Sequence, residues 1–144
     1  MHFIRALLFA LLAIATTGAH SFETVASPKA ARDLTDQIMA KVGTKDLDAA
    51  IKLMKPYTIV PEAEIDASLG QFKLQQSMIA QRFGASLGTE FVREEKVGES
   101  LLRLTHIHRF EKHAMRWTFY FYRSSKGWVL NTFRFDDNIV ALFP

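Results

Sequence analysis

The sequence contains no cysteine. Disulfide bonds, thiolate metal sites and a lipid anchor on an N-terminal cysteine are therefore excluded. After the first 22 residues the chain also lacks any apolar run as long as the roughly 20 residues that cross a bilayer. A domain of this kind must be held together by its hydrophobic core, and its length is sufficient to form one.

Familiar catalytic motifs are absent as well. The chain has no Gly-rich phosphate-binding loop, no G-x-S-x-G element and no H-E-x-x-H pair. Asp136 and Asp137 follow the last long predicted strand, where acidic residues are typical of a turn. The sequence favours a protein without catalytic activity and without a cofactor, but it leaves an enzyme as an alternative.

An export signal is predicted at the N-terminus. Arg5 precedes a ten-residue apolar run at positions 6–15, and small residues follow. This order is typical of a secretory signal peptide, and the run is too short for a stable membrane anchor. We predict cleavage after Ala19, with residues 1–19 as the signal and residues 20–144 as a single domain; cleavage after Ser21 is the alternative. The protein is expected to be periplasmic or secreted.

The charge of the chain is nearly balanced. It has 18 Lys and Arg against 15 Asp and Glu, a formal net charge of +3. Removal of residues 1–19 takes away Arg5 and no acidic residue, which leaves 17 against 15, or +2. A nearly neutral exported domain is not expected to have nucleic acid as a partner.

Helices are predicted in the first half of the mature chain. Ser27 and Pro28 form a cap and first turn, and the apolar residues that follow recur every three or four positions. Thr44 is the expected cap of a second, shorter helix. A third helix ends at Gly84, a residue typical of a helix C-cap. The predicted helices cover residues 28–43, 45–55 and 61–83.

Strands are predicted from residue 89, where the hydrophobic period changes to two. Four strands are expected at 89–96, 100–110, 114–123 and 128–136, and residues 139–143 are a candidate fifth, edge strand. Hairpin turns are expected at 97–98, 111–112 and 125–127. The predicted class is therefore α+β, with three N-terminal helices packed on a curved antiparallel sheet.

The lengths of two turns predict which side chains share a face. A two-residue turn at 111–112 pairs His108 with Met115. A three-residue turn at 125–127 gives the pairs Phe121 with Asn131, Phe119 with Phe133, and Trp117 with Phe135. This register places Asn131 on the face toward the helices and Trp128 and Leu130 on the outer face. A slip of one residue would exchange the two faces.

The closing stretch carries a family resemblance. Gly127 and Trp128, followed by alternating apolar residues to position 135, resemble the start of the last long strand in many NTF2-like proteins, a superfamily of cystatin-like α+β cones. By architecture the resemblance covers residues 28–136. It implies a curved sheet that encloses a deep pocket, in a superfamily where some members are isomerases, dehydratases or epoxide hydrolases and others only bind or dimerise. No catalytic pattern of those enzymes matches this chain.

The inner face of the sheet is expected to line a pocket for a small hydrophobic ligand. The expected lining residues are Tyr57, His106, His108, Trp117, Phe119, Asn131, Phe133 and Phe135. Polar groups are sparse there, as in many ligand pockets. A filled core explains the same aromatic residues equally well. If the protein were an enzyme, His106 or His108 would be the acid or base of a lyase or isomerase, and Asn131 would orient an apolar substrate.

Three histidines are candidate metal ligands. His106 and His108 project from one face of a strand, and His113 is expected on the same side of the next strand. Neutral imidazoles of this spacing bind zinc or copper, but no carboxylate joins them in the pattern. A metal-handling role is therefore the third hypothesis, behind a binding module and an enzyme.

The outer face of the sheet is a candidate interface. It combines arginine, tyrosine and threonine side chains with an apolar pair, and such a surface suits an envelope protein, an anionic partner or a second copy of the chain. The alternative is an ordinary solvated sheet face. The candidate interface residues are Arg103, Arg116, Tyr120, Tyr122, Trp128 and Leu130. The leading hypothesis is thus an exported ligand-binding or protein-interaction module that dimerises through its sheet.

Overall fold

The structure is a computed structural model that describes residues 22–144. Three α-helices precede a four-stranded antiparallel sheet, which confirms the predicted α+β class and element order. The elements are α1 (Pro28–Gly43), α2 (Leu47–Met54), α3 (Glu62–Phe83), β1 (Ser86–Val97), β2 (Leu101–Phe110), β3 (Ala114–Ser124) and β4 (Gly127–Asp136). The strands pair in the order β1-β2-β3-β4. The predicted signal peptide, with cleavage after Ala19 or Ser21, lies outside the described residues.

The helix ends follow local chemistry. The Ser27 hydroxyl accepts a hydrogen bond from the Ala30 N–H at 3.1 Å, so the predicted cap of α1 is confirmed. The cap of α2 is Asp46, not Thr44, and the prediction was wrong there. Thr44 instead donates its hydroxyl to the Lys41 carbonyl at 3.0 Å. Because that bond satisfies a free carbonyl at the end of α1, Thr44 ends one helix rather than starting the next.

The first predicted register is confirmed. His108 pairs with Met115 across the turn at 111–112, and His106 pairs with Trp117. Both histidines consequently lie on the face toward the helices, where they are buried.

The second predicted register is wrong near its turn. A bulge follows Tyr120, so Phe121 pairs with Leu130 rather than with Asn131, and Asn131 is the extra residue of β4. The turn contains only two residues, since Ser124 pairs directly with Gly127. Beyond the bulge the predicted pairs are confirmed, and they are Phe119 with Phe133 and Trp117 with Phe135.

The bulge reverses the predicted positions of three side chains. Trp128 and Leu130 are 6% and 0% exposed, so the prediction that they form an exposed interface is wrong. Asn131 is exposed and belongs to no inner pocket. The physical reason is that the free energy gained by burying the two large apolar side chains exceeds the cost of leaving one residue of β4 unpaired in the sheet. Trp128 also exchanges backbone hydrogen bonds of 2.8 and 2.9 Å with Val25.

The candidate fifth strand is a helix. Residues Ile139–Leu142 form a short 3-10 helix capped by Asn138, whose side chain accepts from the Ala141 N–H at 3.3 Å. The Leu142 carbonyl accepts a hydrogen bond from Arg93 of β1 at 2.6 Å. The chain therefore turns back toward β1 after β4 instead of extending the sheet. Within the described residues, no helix is long and apolar enough to cross a membrane.

Candidate functional site

An open hollow of about 290 Å³ lies between the end of α1, the start of α2, the middle of α3 and β2. Most of its lining residues are apolar. The apolar ones are Val42, Leu47, Phe72, Ile79, Ala80 and Phe110, and the polar ones are Lys45, Gln76, Ser77 and His108. Of the predicted pocket residues, only His108 lines this hollow.

The course of α3 explains why this space is open. In a helix of 22 residues, only Ile65, Phe72 and Phe83 are buried. Between Phe72 and Phe83 the inward side chains are Gln76 and Ile79, which are half-buried. The helix is thus packed near Ile65 and Phe72 and again at Phe83, while its intervening turns leave room above β2.

His108 is held in place by a chain of hydrogen bonds. Its Nε2 lies 2.8 Å from the Ser86 hydroxyl oxygen, which lies 2.9 Å from the Gly43 carbonyl oxygen. The serine has one hydroxyl hydrogen, and the carbonyl accepts it because a carbonyl cannot donate. His108 therefore donates its Nε2–H to Ser86, and the hydrogen bond fixes the tautomer of the ring.

This tautomer leaves Nδ1 of His108 as a bare acceptor. The side chain is 4% exposed, and Nδ1 has no hydrogen-bond partner among the described residues. Burial, and to a smaller extent the charge of Lys45, lowers the pKa of His108 to about 4. The ring is consequently neutral at physiological pH, and it presents a lone pair rather than a positive charge.

The Ser86–His108 pair resembles a nucleophile and its base only in distance. In nucleophilic catalysis the serine gives its proton to the imidazole. Here the proton of Ser86 is committed to the Gly43 carbonyl, and the imidazole is the donor. The pair fastens the start of β1 to the end of α1 and orients His108.

His106 is a core residue. It is 1% exposed, and its Nε2 lies 2.9 Å from the hydroxyl of Thr35 in α1. Burial lowers its pKa to about 4, with a partly opposing effect from Asp36 and a further lowering by Arg32. His106 is not among the residues that line the hollow. The predicted enzymatic arrangement of His106 or His108 with Asn131 is not formed, because β4 presents Asn131 to solvent.

The predicted aromatic pocket wall is packed instead of hollow. Trp117 and Phe135 stack with ring centroids 4.9 Å apart, and Phe72 of α3 meets Phe135 edge-on at 4.7 Å. The space left among these rings and Phe133 is about 10 Å³, which is too small for an organic ligand. Phe119 is fully buried. Phe72 also lines the larger hollow, so its ring separates that hollow from the packed core.

Two further candidates lie apart from this site. Tyr57 is half-buried and packs against the core just after α2. The ring of His113 packs at a tilt of 45° against Phe83, with centroids 4.5 Å apart, and its Nε2 lies 2.9 Å from the Asp137 carbonyl oxygen. Among residues 22–144, no three His, Asp or Glu side chains are grouped closely enough to hold a metal ion. The predicted set of His106, His108 and His113 is therefore not brought together.

The outer face of the sheet is dominated by ion pairs. Arg103 makes two hydrogen bonds of 2.7 Å to Glu95, which hold the pKa of Glu95 below its usual range. Arg116 likewise makes a bidentate pair with Asp136, in which Nε lies 3.2 Å from Oδ1 and Nη2 lies 2.6 Å from Oδ2. Tyr120 is half-buried. Because Trp128 and Leu130 are buried, the large accessible ring on this face is that of Tyr122, which is 48% exposed. Dimerisation through this face stays a prediction.

Sequence reasoning missed Lys45, Gln76 and Ser86. Gln76 did leave a signal, since it is the one polar residue in the otherwise apolar inward stripe of α3. Ser86 falls before the predicted start of β1, and its contact with His108 depends on tertiary packing. Lys45 stands in a turn with φ of 63°, where glycine or asparagine is the usual residue.

Comparisons with known proteins give one structural match. No protein-family model matches the chain, and no curated protein matches its sequence. Its structure is similar to the crystal structure of a protein from Campylobacter jejuni described as "Putative NTF2-like transpeptidase". The match has 11% sequence identity and a TM-score of 0.42, and it covers 71% of this chain and 94% of the other.

Proposed function

We propose that this domain is a non-catalytic binding module whose ligand, a small apolar molecule, occupies the hollow beneath α3. The observation that carries the proposal is the open, mostly apolar hollow itself, with His108 in its wall.

The dimensions of the hollow suit such a ligand. Its volume of about 290 Å³ is at the lower end of the range for small-molecule sites. Phe72, Ile79 and Phe110 supply apolar walls, and few polar groups are present to orient the ligand.

Titration with naphthol, a small apolar probe with one hydroxyl donor, tests this function. The chain contains two tryptophans, so an NMR spectrum of a labelled sample has two indole N–H signals. Trp117 contacts Phe72, a lining residue, at 5.8 Å between ring centroids, whereas Trp128 lies beside the N-terminal segment at Val25. We expect the Trp117 signal to shift on saturation and the Trp128 signal to stay in place. Equal shifts of both signals would contradict binding in the hollow.

Two alanines of α3 provide a matched pair of variants. Ala80 lines the hollow and Ala67 does not, and both side chains are exposed on the same helix. Ala80→Phe should fill the space and reduce naphthol affinity at least tenfold, while Ala67→Phe should leave it unchanged. If both variants bound the probe as tightly as the parent protein, the proposed site would be wrong.

Export is part of the proposed function, and the N-terminal pattern at residues 1–19 supports it. In the periplasm the ligand would be an envelope or imported molecule rather than a cytoplasmic metabolite. Expression of the full chain without a tag, followed by fractionation and intact-mass measurement, tests this. We expect a periplasmic species that begins after Ala19 or after Ser21. A full-length protein in the cytoplasm would contradict the export proposal and leave the binding proposal unaffected.

A further inference from the structure

The outward side of α3 carries an apolar patch. Leu74 is 82% exposed, more than any other large apolar side chain among the described residues, and Met78 is 63% exposed. Both lie on the side of the helix away from Phe72, which is buried. The patch continues from Met78 into an open groove of about 340 Å³, whose lining includes Ile79 and Met115. Contiguous exposed apolar surface of this kind is typical of a site of association.

Five residues spaced four apart form one row along this side of the helix, which we call the α3 row. Its members are Asp66, Gly70, Leu74, Met78 and Arg82. Side chains with this spacing form a continuous ridge on a helix. The α3 row is arranged symmetrically about Leu74, with glycine and methionine on either side and a carboxylate and a guanidinium at the ends, each about 12 Å from the centre.

Gly70 has no explanation within the described chain. Glycine destabilises the interior of a helix, and Gly70 has no positive φ that would require it. A Cβ added at Gly70 would meet no atom within 4 Å. The absence of a side chain there leaves a shallow depression next to Leu74, which suits the close approach of a side chain from another molecule.

The charges of α3 leave the middle of the α3 row apolar. Lys73 is directed toward α2, where it binds Asp48 at 2.7 Å. At the two ends, Asp66 and Arg82 have opposite charges, and their side chains are 55% and 75% exposed. Asp66 has Lys55 nearby and Arg82 is 3.8 Å from a carboxylate, but exposed pairs of this kind are weak and are readily exchanged.

We infer that two copies of this chain associate through the α3 row, with their α3 helices antiparallel about a two-fold axis at Leu74. The axis brings the two Leu74 side chains together and sets Met78 of each copy over Gly70 of the other. Ridges of this spacing pack at a crossing angle of roughly −50°, and a glycine in the contact lets the helix axes approach to about 8 Å. Arg82 of each copy then reaches Asp66 of the other.

The chemistry of α3 favours a second copy over a lipid surface. A two-fold contact requires a self-complementary surface, which the α3 row provides. The first turn of α3 contains Glu62 and Glu64, and anionic lipid headgroups would repel it. The hollow beneath α3 lies on the opposite flank, where Gln76 and Ala80 line it, so the interface leaves the hollow open. The interface is therefore independent of the proposed ligand.

Sedimentation equilibrium of the purified, untagged protein measures the association. The contact is small, so we expect a dimer with a dissociation constant of about 100 μM. Leu74→Glu places two carboxylates together at the axis and should leave the protein monomeric at about 1 mM, a loss of at least tenfold. A parent protein that is monomeric at that concentration, or an unchanged dimer in Leu74→Glu, would overturn the proposal.

Tyr122→Glu is the matched control. Tyr122 is 48% exposed on the outer face of the sheet, which is the other predicted dimer surface. Both substitutions replace an exposed side chain, so the circular dichroism spectrum should be unchanged in both variants. Tyr122→Glu should associate as tightly as the parent protein. Dissociation of the dimer by Tyr122→Glu would overturn the α3 interface in favour of the sheet.

Gly70→Gln separates stability from association. Glutamine favours a helix more than glycine does, so Gly70→Gln should raise the Tm. It should also weaken association about tenfold, because its side chain occupies the place of Met78 of the other copy. Unchanged association in Gly70→Gln would overturn the close approach of the two helices.

Charge reversal determines the direction and register of the two helices. Asp66→Lys alone brings two cations together at each end of the contact, and Arg82→Glu alone brings two anions together. Each variant should associate about fivefold more weakly than the parent protein. An equal mixture of the two variants restores opposite charges at both ends and should associate as tightly as the parent. A mixture no tighter than the single variants would overturn the antiparallel arrangement.

Discussion

Helices α1 and α3 bury their side chains to very different extents, although α3 is the longer of the two. In α1, six of 16 residues are buried; in α3, three of 22 are. The two inward histidines of β2 lie on either side of this division. His106 reaches Thr35 of α1, whereas His108 borders the hollow beneath α3.

The comparison of the two histidines shows how one local pattern leads to two roles. Nε2 of His106 donates to the Thr35 hydroxyl, which donates to the Arg32 carbonyl. Nε2 of His108 donates to the Ser86 hydroxyl, which donates to the Gly43 carbonyl. Beyond that they differ, because Nδ1 of His106 lies 3.8 Å from Asp36, while Nδ1 of His108 has no hydrogen-bond partner within residues 22–144. The packed region uses its histidine to hold the fold, and the histidine under α3 lies in the wall of the hollow.

The largest expected effect comes from truncating equivalent isoleucines in the two regions. Ile38 of α1 is 0% exposed, so Ile38→Ala should lower the free energy of unfolding by about 4 kcal/mol. Ile79 of α3 is half-buried beside an existing hollow, and Ile79→Ala should cost about 1 kcal/mol. Urea denaturation measures both. Equal costs would mean that α3 packs as tightly as α1.

Acidification should destabilise the protein through both histidines. An unfolded histidine binds its proton near pH 6.5, whereas His106 and His108 bind theirs only near pH 4 when folded. The stabilisation from their neutral forms is therefore complete above pH 6.5 and is lost as the pH falls toward 4. By pH 5 the loss is about 2 kcal/mol for each histidine.

Single variants show how much of this pH dependence of stability comes from each histidine. His106→Gln and His108→Gln should each remove about half of the histidine contribution to the loss between pH 7.5 and pH 5, as measured by urea denaturation at each pH. Asp36 and Arg32 face His106, and Lys45 faces His108, so substitution of these charged residues would alter the balance. A slope unchanged in both variants would show that the histidines are not buried in neutral form.

Removal of the two hydroxyls that orient the histidines should have a smaller effect. Thr35 is fully buried, so Thr35→Val should cost about 2 kcal/mol, because His106 loses its acceptor in a dry environment. Ser86 is half-buried, and Ser86→Ala should cost about 1 kcal/mol. Thermal denaturation can rank the two. The reverse order would indicate that the region around Ser86 is the better packed one.

The smallest expected effect concerns the ion pair between α2 and α3. Lys73 lies 2.7 Å from Asp48, but the two side chains are 45% and 73% exposed. Asp48→Asn should therefore change the free energy of unfolding by about 0.5 kcal/mol or less. A loss comparable to that of Ile38→Ala would mean that α3 is held by charge rather than by Ile65, Phe72 and Phe83.

Much of the fold was predictable because its signals are local. Helical periodicity and the cap at Ser27 located α1, and the short turn at 111–112 determined the register of His106 and His108. The register near Trp128 was not predictable in this way, because the bulge at Asn131 depends on burial of Trp128 against Val25, about a hundred positions earlier in the chain. The hollow was missed for the same reason, since it depends on how far α3 stands from β2.

The segment that contains Thr24 and Val25 covers part of the edge of the sheet at β4. The outer edge of β4 is occupied by the chain itself, since Val25 pairs with Trp128 and Thr58 pairs with Leu130. At Gly127 an added Cβ would meet the Thr24 hydroxyl oxygen at 2.8 Å, so this contact leaves no room for a side chain. At the opposite edge, β1 is interrupted by two irregularities. Free sheet edges promote aggregation between chains, and both edges here are poor templates for an added strand. At the β4 edge, strand addition is thus disfavoured by the segment that follows the predicted cleavage site.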